Sequence, residues 1–232
     1  MNFTMRSSAL LLCLGFGCAT PSQAAELGWY VVGFGGEMSA SGASENQATE
    51  RLVAIFEANG VDVISATATV DDSDTGFGVA GGYQVNDHFA FEFAYVDLGS
   101  ISYDLSARVS DGTDEADADV QLESSADGPV LSALGILPIG ERFSVFGRVG
   151  FSLMNAKGTA RITINDVTSR PSQSSQKSDL MYGAGAEYNL SKYFAIRLAW
   201  DRYMDVGTEN VTGDLDADLF TLGFRMGVGW FR

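Results

Sequence analysis

Four charged side chains occupy strand positions whose neighbours on the same face are small or polar, apart from Phe146 beside Arg148: Glu92, Arg148, Glu187 and Arg197. Successive side chains of a strand point to opposite faces, so each charge lies opposite a row of large apolar residues. Two carboxylates and two guanidiniums in a poorly solvated interior can neutralise one another, whereas an unpaired charge there is costly. The four residues therefore predict buried ion pairs. Two roles stay open for them: filling and stiffening an interior, or lining an ion-conducting constriction.

Residues that perform enzymatic chemistry are scarce. His88 is the only histidine, and it belongs to a short polar segment, Asn86-Asp87-His88, that is typical of a tight turn. The only cysteines, Cys13 and Cys18, lie in the first 24 residues, so a chain processed there has no thiol nucleophile or cysteine metal site. The acidic run at 111–119, DGTDEADAD, lacks the spacing of a calcium-binding loop and indicates a solvated segment. We expect no catalytic residues, no metal site and no cofactor.

The four charges need strands to position them, and the clearest strand pair is Phe77–Gly99, FGVAGGYQVNDHFAFEFAYVDLG. In its second half one face holds Phe89, Phe91, Phe93 and Tyr95, and the other holds Ala90, Glu92 and Ala94. A water-soluble sheet hides its apolar face in a core and exposes its polar face. Here the small-residue face carries the charge, so we predict that the aromatic face contacts lipid and the other faces a lumen.

Similar alternation recurs along the chain. Eight candidate strands lie at about 28–40, 75–85, 89–99, 120–137, 142–157, 179–190, 193–205 and 217–231. Each reaches the roughly 9–11 residues that a tilted membrane strand needs. Short connections at 86–88, 138–141 and 191–192 alternate with long polar ones at 42–74, 100–119, 158–178 and 206–216. The pattern predicts an all-β fold, an eight-stranded antiparallel up-and-down transmembrane β-barrel with long extracellular loops and short periplasmic turns.

The N-terminus has the pattern of an export signal. Arg6 precedes a short apolar run, and Ser22-Gln23-Ala24 suits signal cleavage, so we expect a signal peptide at 1–24 and the barrel domain at 25–232. Cys18 as a lipid-attachment site is the weaker alternative, because the residues before it lack the usual leucine. Removing Arg6 from the 14 basic residues leaves 13 against 30 acidic residues, a net charge of −17. Such a charge disfavours binding to nucleic acid.

The first long connection contains a helical pattern. In the segment 47–59, QATERLVAIFEAN, Leu52, Ile55 and Phe56 recur at helical spacing, and Gly60 is a suitable stop. We expect a short helix that packs over the barrel mouth or on neighbouring loop strands. The alternative is that these three apolar residues form a contact surface for an extracellular partner.

Three segments spread along the chain resemble the OmpA-like transmembrane β-barrel family. They are GYQVNDHFAFEFAYVDLG at 82–99, LSALGILPIGERFSVFGRVGF at 131–151 and GAGAEYNLSKYFAIRLAW at 183–200. Each crosses a predicted periplasmic turn, and the three follow the family's order. The resemblance implies a bacterial outer-membrane location, contact with outer-membrane lipid and lipopolysaccharide, and insertion by the barrel assembly machinery.

The resemblance also implies charge pairs inside the barrel. The family has a glutamate in the third strand, another in the sixth and an arginine in the seventh, and Glu92, Glu187 and Arg197 match these positions. Leu134 stands where the family has a lumen lysine, so a glutamate that switches between arginine and lysine partners is not implied here. Larger members carry a periplasmic peptidoglycan-binding domain. The sequence ends after the eighth strand, so we do not expect that activity.

Together these observations predict a non-enzymatic outer-membrane protein that contributes to envelope structure. We expect at most a narrow pore for ions or small solutes, because side chains fill an eight-stranded barrel. The alternative function is a surface adhesin or receptor that acts through the extracellular loops. A lipid-modifying enzyme is disfavoured, because the predicted topology places His88 on the periplasmic side.

Overall fold

The computed structural model describes residues 27–41, 45–58, 60, 62–110, 115–164, 167–206 and 215–228. The expected signal peptide at 1–24 lies outside these residues. In the described part of the chain, no helix has the length and apolarity needed to cross a membrane.

Strands dominate the described residues, with a single helix after the first strand. In chain order the elements are β1 (Gly28–Ser41), α1 (Glu45–Ala58), β2 (Asp62–Asp71), β3 (Ser73–Asn86), β4 (Phe89–Ser110), β5 (Glu115–Ile139), β6 (Phe143–Ile164), β7 (Val167–Ser169), β8 (Ser172–Asn189), β9 (Phe194–Tyr203) and β10 (Asp216–Gly227).

Eight of these strands form a closed antiparallel ring. Its order is β1, β3, β4, β5, β6, β8, β9 and β10, and β10 pairs back with β1. Each ring strand therefore has a hydrogen-bonded neighbour on both sides, as a bilayer requires of a spanning sheet. The prediction of an all-β fold with eight antiparallel strands in a barrel is confirmed.

The two remaining strands, β2 and β7, continue ring strands instead of adding to their number. Only Asp72 separates β2 from β3, and both pair with β4, at its opposite ends. Similarly, Arg170 and Pro171 separate β7 from β8, and both pair with β6. Proline has no N–H to donate to a strand ladder, which accounts for an interruption at this point.

The extracellular connections are largely hairpins rather than irregular loops. β4 runs to Ser110 and β5 begins at Glu115, so the predicted strands at 89–99 and 120–137 are too short. Likewise β6 extends to Ile164 and β8 begins at Ser172. The acidic run predicted as a solvated loop is strand from Glu115 onward, and residues 111–114 lie outside the described part of the chain.

A reversal of polarity along β4 explains why its upper half resembles a loop in sequence. Between Phe89 and Tyr95 the aromatic side chains are exposed on the outer face, and Glu92 is buried on the inner face. Beyond Gly99 the buried inward side chains are apolar: Ile101, Tyr103, Leu105, Ala107 and Val109. The outward side chains there are polar and exposed: Asp104, Ser106 and Arg108. The lower half of β4 therefore suits lipid outside the barrel, and the upper half suits water.

A β-bulge marks the change between the two halves. Opposite β5, the register moves from Asp97 paired with Asp127 to Ser100 paired with Ser125, so β4 has one residue more than its partner. The extra residue transfers odd-numbered side chains of β4 from the outer to the inner face. Gly99 adopts a φ of 76° within the bulge, and a β-carbon there would lie 2.7 Å from Asp74 Oδ2. Glycine is therefore required for both conformation and space.

The predicted helix is present in the first connection. α1 ends at Ala58, two residues before Gly60, which has a φ of 76°. It packs against β2 and β4, so it lies on the strands of its own loop region. The side chains of Leu52, Ile55 and Phe56 lie outside the described part of the structure, and their role as a contact surface stays a prediction.

We expect Leu105→Asp to unfold the extracellular sheet, because Leu105 is only 3% exposed and would leave an unpaired carboxylate in an apolar core. Limited proteolysis on intact cells measures this effect. The barrel itself is expected to stay inserted, with different gel mobility in boiled and unboiled samples. The control is Thr67→Asp, at an exposed position of β2. Equal protease resistance of the two variants would contradict the proposed inner core.

Candidate functional site

The four charged residues predicted from the sequence lie together inside the barrel. β4 contributes Glu92, β6 contributes Arg148, β8 contributes Glu187 and β9 contributes Arg197. Glu187 and Arg197 are direct cross-strand neighbours, whereas Glu92 and Arg148 meet across β5. Strand parity accounts for their shared inward face, and the ring brings them to the same level.

Glu92 is the shared acceptor at the centre of this cluster. Arg197 Nη1 lies 2.6 Å from its Oε1, and Arg148 Nη1 lies 3.3 Å from its Oε2. The hydroxyl of Tyr30 on β1 donates to Oε1 at 2.8 Å. Glu92 is 1% exposed, so these three donors replace the water that would otherwise solvate its charge.

Arg197 links Glu92 to the second glutamate. Its Nε and Nη2 both lie 3.0 Å from Glu187 Oε2, while Nη1 binds Glu92. Its guanidinium also lies 4.9 Å from the ring centroid of Phe146, within the range of a cation–π contact. One buried arginine thus serves two carboxylates that come from different parts of the wall.

Two further charges extend the cluster at its ends. Arg225 on β10 places Nη1 2.8 Å from Glu187 Oε1, and its Nη2 donates to Gln84 Oε1 at 2.6 Å. Asp201 on β9 places Oδ2 2.5 Å from Arg148 Nη2. The result is an alternating chain of three carboxylates and three guanidiniums, which we name the lumen network: Asp201, Arg148, Glu92, Arg197, Glu187 and Arg225. Its formal charges cancel.

The sequence contained a signal for both residues that the prediction missed. Asp201 lies four positions after Arg197 on the same strand, so the two share a face. Arg225 alternates with Phe224 and the other outward residues of β10, so parity alone places it inside. Tyr30 could not be assigned in this way, because the apolar pattern of β1 does not distinguish its two faces.

An apolar layer fills the lumen on the extracellular side of the network. Five of its side chains are at most 2% exposed: Leu98, Met154, Met181, Tyr203 and Leu219. Each lies nearer the extracellular end of its strand than a network residue on that same strand: Leu98 beyond Glu92, Met154 beyond Arg148, Met181 beyond Glu187, Tyr203 beyond Arg197 and Leu219 beyond Arg225. Leu219 also pairs directly with Asp201, so the layer and the network meet there. The described lumen thus contains ion pairs towards the periplasmic end and apolar packing towards the extracellular end.

The other candidate residues do not join the network. His88 lies in the turn between β3 and β4, where its amide donates to Asn86 Oδ1 at 2.8 Å and its Nδ1 lies 3.3 Å from the carbonyl oxygen of Ile136. Among the described residues, no three histidine, cysteine, aspartate or glutamate side chains gather in an arrangement that could hold a metal ion.

The family model of the OmpA-like transmembrane domain matches residues 28–229. The chain belongs to this family. A curated relative, Outer membrane protein A of Escherichia fergusonii, is 27% identical over 162 residues, which make up 68% of this chain and 42% of the relative. The chain therefore matches less than half of that relative's length. The family and this relative place the protein in the bacterial outer membrane.

Solved outer-membrane proteins are similar at lower identity. OprG of Pseudomonas aeruginosa is 15% identical, with 90% of this chain and 100% of that one covered and a TM-score of 0.44. Neisserial surface protein A is 14% identical, with 85% and 96% covered and a TM-score of 0.42. Ail of Yersinia pestis is 19% identical, with 87% and 100% covered and a TM-score of 0.37.

In this OmpA-like barrel, β5 supplies no cation where the family resemblance places a lysine. Leu134 occupies the position, is 1% exposed, and lies between Ala90 and Arg148 in the strand register. Arg148, on the next strand, provides the second guanidinium to Glu92. Arg148 also binds Asp201, so its one guanidinium serves two carboxylates of the network.

Replacing Arg197 with alanine should destabilise the barrel more than any exposed ion-pair variant. Arg197→Ala leaves Glu92 and Glu187 with one guanidinium fewer in a buried site, which costs about 3 kcal/mol of the free energy of unfolding. The measurement is the urea unfolding curve of the refolded protein. Arg108→Ala is the control, because its pair with Asp117 is exposed and a loss within about 1 kcal/mol is expected. Equal midpoints for the two variants would contradict the stabilising role of Arg197.

Proposed function

We propose that this protein is a non-enzymatic structural barrel of the outer membrane, with at most a narrow pore for ions or small solutes. The observation that supports the proposal is that buried side chains of the apolar layer and of the lumen network occupy the barrel interior. Solutes that enter from outside meet the apolar layer first, and solutes that enter from the periplasm meet the lumen network.

The sparse chemistry of the site supports a structural role. The buried carboxylates are occupied by guanidiniums, so none is positioned as a general base next to a nucleophile. His88 lies in a turn on the periplasmic side, away from the outer leaflet. The lumen network therefore acts by neutralising and packing the interior.

We infer that the partners of the outer wall are outer-membrane lipid and lipopolysaccharide. Two edge-on aromatic pairs lie near the two ends of the wall, Trp29 with Tyr83 at 5.1 Å and Tyr182 with Trp200 at 5.8 Å between ring centroids. Aromatic side chains at both ends of an apolar band suit the two membrane interfaces. Because a closed ring cannot insert strand by strand without exposing edges to lipid, insertion would depend on the barrel assembly machinery.

The closure predicts that the protein does not conduct. In planar bilayers we expect the wild type to show no sustained current steps. Met154→Ala combined with Met181→Ala should also stay closed, because the network remains. The triple variant, which also carries Arg197→Ala, loses side-chain volume in both the apolar layer and the lumen network. It should therefore produce measurable current steps. Different gel mobility of boiled and unboiled samples confirms that each variant is folded. Sustained steps from the wild type would refute closure.

A second function, binding of an extracellular partner, is favoured by the upper wall. β2, β4, β5, β6 and β8 continue past the lipid-facing segment and present polar side chains outward. α1 packs on this extension and adds a surface that the barrel does not need for closure. An adhesin or receptor would use these elements.

Replacing residues 45–58 with a Gly/Ser linker tests this second function. β2 is kept, because it is part of the wall. Cells that carry the variant are expected to lose binding to host cells, phage or matrix while the amount of protein in the outer membrane stays the same. The control exchanges Ser191 and Lys192 of a periplasmic turn for glycine and serine. Unchanged binding by the linker variant would remove the main support for an adhesin.

A further inference from the structure

The extracellular part of the sheet has two edges along which the described residues place no further strand. β2 pairs with β4 on one side only, because the pairing of β1 with β3 ends at Ser39 opposite Ser73. The upper part of β8, residues 172–179, pairs with β6 alone, since the pairing of β8 with β9 begins at Met181. A strand with a neighbour on one side only can act as a template for the strand of another chain.

The β8 edge has features that hinder the addition of a strand. Pro171 immediately precedes it and has no backbone N–H to donate. Within it, Lys177 Nζ lies 2.7 Å from Asp205 Oδ1, and charged side chains on an edge oppose pairing with another chain. The segment reads SQSSQKSD and contains no apolar residue that an added strand could contact.

The β2 edge lacks these features. Between Asp62 and Asp71 it reads VISATATV, without charge, proline or glycine, and five of these eight residues are β-branched. Ile64, the extra residue of a β-bulge, is 53% exposed and offers an apolar contact beside the edge. The helix α1 contacts β4 as well as β2, so it packs across a face of the sheet and not along this edge.

We propose that β2 is a docking site for an extended segment of an extracellular protein, which adds to the sheet as a further strand. Backbone hydrogen bonds supply the affinity of such an added strand, and its alternate side chains supply specificity. The proposal rests on the second function above, binding of an extracellular partner, and specifies how that partner binds.

The charges around β2 favour a partner segment with basic ends. Asp62 and Asp71 are its end residues, Asp72 follows, and β4 places the exposed Asp104 opposite Thr69. A second copy of β2, paired antiparallel over its full length, would bring Asp62 of one copy opposite Asp71 of the other. Like charges directly opposite one another destabilise a sheet. A segment with lysine or arginine at its ends and β-branched residues between them is complementary instead.

A synthetic peptide of this kind, KKTVTVTVKK, is the probe. Solution NMR of the refolded, ¹⁵N-labelled barrel measures exchange of the backbone amides with water. With the peptide bound, we expect alternate amides of residues 65–71, those that point away from β4, to exchange about tenfold more slowly. Amides of residues 172–179 should exchange at unchanged rates. The control peptide KKTPTPTPKK has the same charge but cannot form the strand ladder, so it should protect no amide.

Two matched variants separate strand addition from simple attraction between opposite charges. Thr67→Lys with Thr69→Lys adds two lysines at exposed positions of β2, and Ser174→Lys with Ser178→Lys adds two at exposed positions of β8. We expect the first variant to bind KKTVTVTVKK about tenfold more weakly than the wild type, and the second to bind it within about twofold of the wild type. Different gel mobility of boiled and unboiled samples confirms that both variants are folded.

Each outcome decides the proposal. Protection of alternate amides in β2 alone, together with weaker binding by the β2 variant alone, supports it. Absence of protection, equal protection at both edges, equal binding of the two peptides or equal weakening by the two variants overturns it. Cell binding is measured separately with the linker variant of residues 45–58, so a failure of the second function is distinguishable from a failure of strand addition at β2.

Discussion

Closing eight strands into a ring forces every inward side chain into one narrow interior, and the rest of the structure depends on how that interior is neutralised. A charge there cannot retain its water, and its attraction to a partner offsets the loss only with close geometry and further hydrogen bonds. The lumen network meets this condition by alternation, since each interior member contacts an opposite charge on either side. Glu92 illustrates the result, because two guanidiniums and the hydroxyl of Tyr30 surround its carboxylate.

The same strands of the barrel wall face lipid in their lower part and water in their upper part. In the lower part of β4, lipid requires apolar side chains outside, and in the upper part, water requires polar ones there. A single inserted residue at the bulge between Asp97 and Ser100 changes the register, and the pattern of side chains then supplies the second arrangement. The backbone ladder continues across the change through pairing with β5. The extracellular sheet is thus built as an extension of the membrane barrel, so its apolar inner face continues from the packed lumen.

Strand parity in the sequence was enough to predict the ring of eight strands and the inward face of Glu92, Arg148, Glu187 and Arg197. It also contained the information for Asp201 and Arg225, whose faces follow from their neighbours. What parity cannot supply is height along the barrel, which depends on the register of every strand pair. For this reason the contact of Arg148 with Asp201 could not be predicted, whereas its pairing with Glu92 was expected from their shared interior face. The upper strands were missed because their pattern of small apolar and polar residues matches no lipid-facing strand.

The apolar layer and the lumen network differ in physical character, so the barrel interior changes along its axis. The apolar layer consists of side chains such as Met181 and Leu219 that need no partner of fixed geometry, so it tolerates small shifts of the wall. The network depends on distances near 3 Å, and salt screens it little because its members are buried. Buried atoms without a hydrogen-bond partner in the protein occur near both ends of the network, at Arg225 and Asn189 towards the periplasm and at Arg148 and Asp201 towards the apolar layer. Apolar packing towards the cell exterior and ion pairing towards the periplasm therefore follow from a single arrangement of inward side chains along the eight strands.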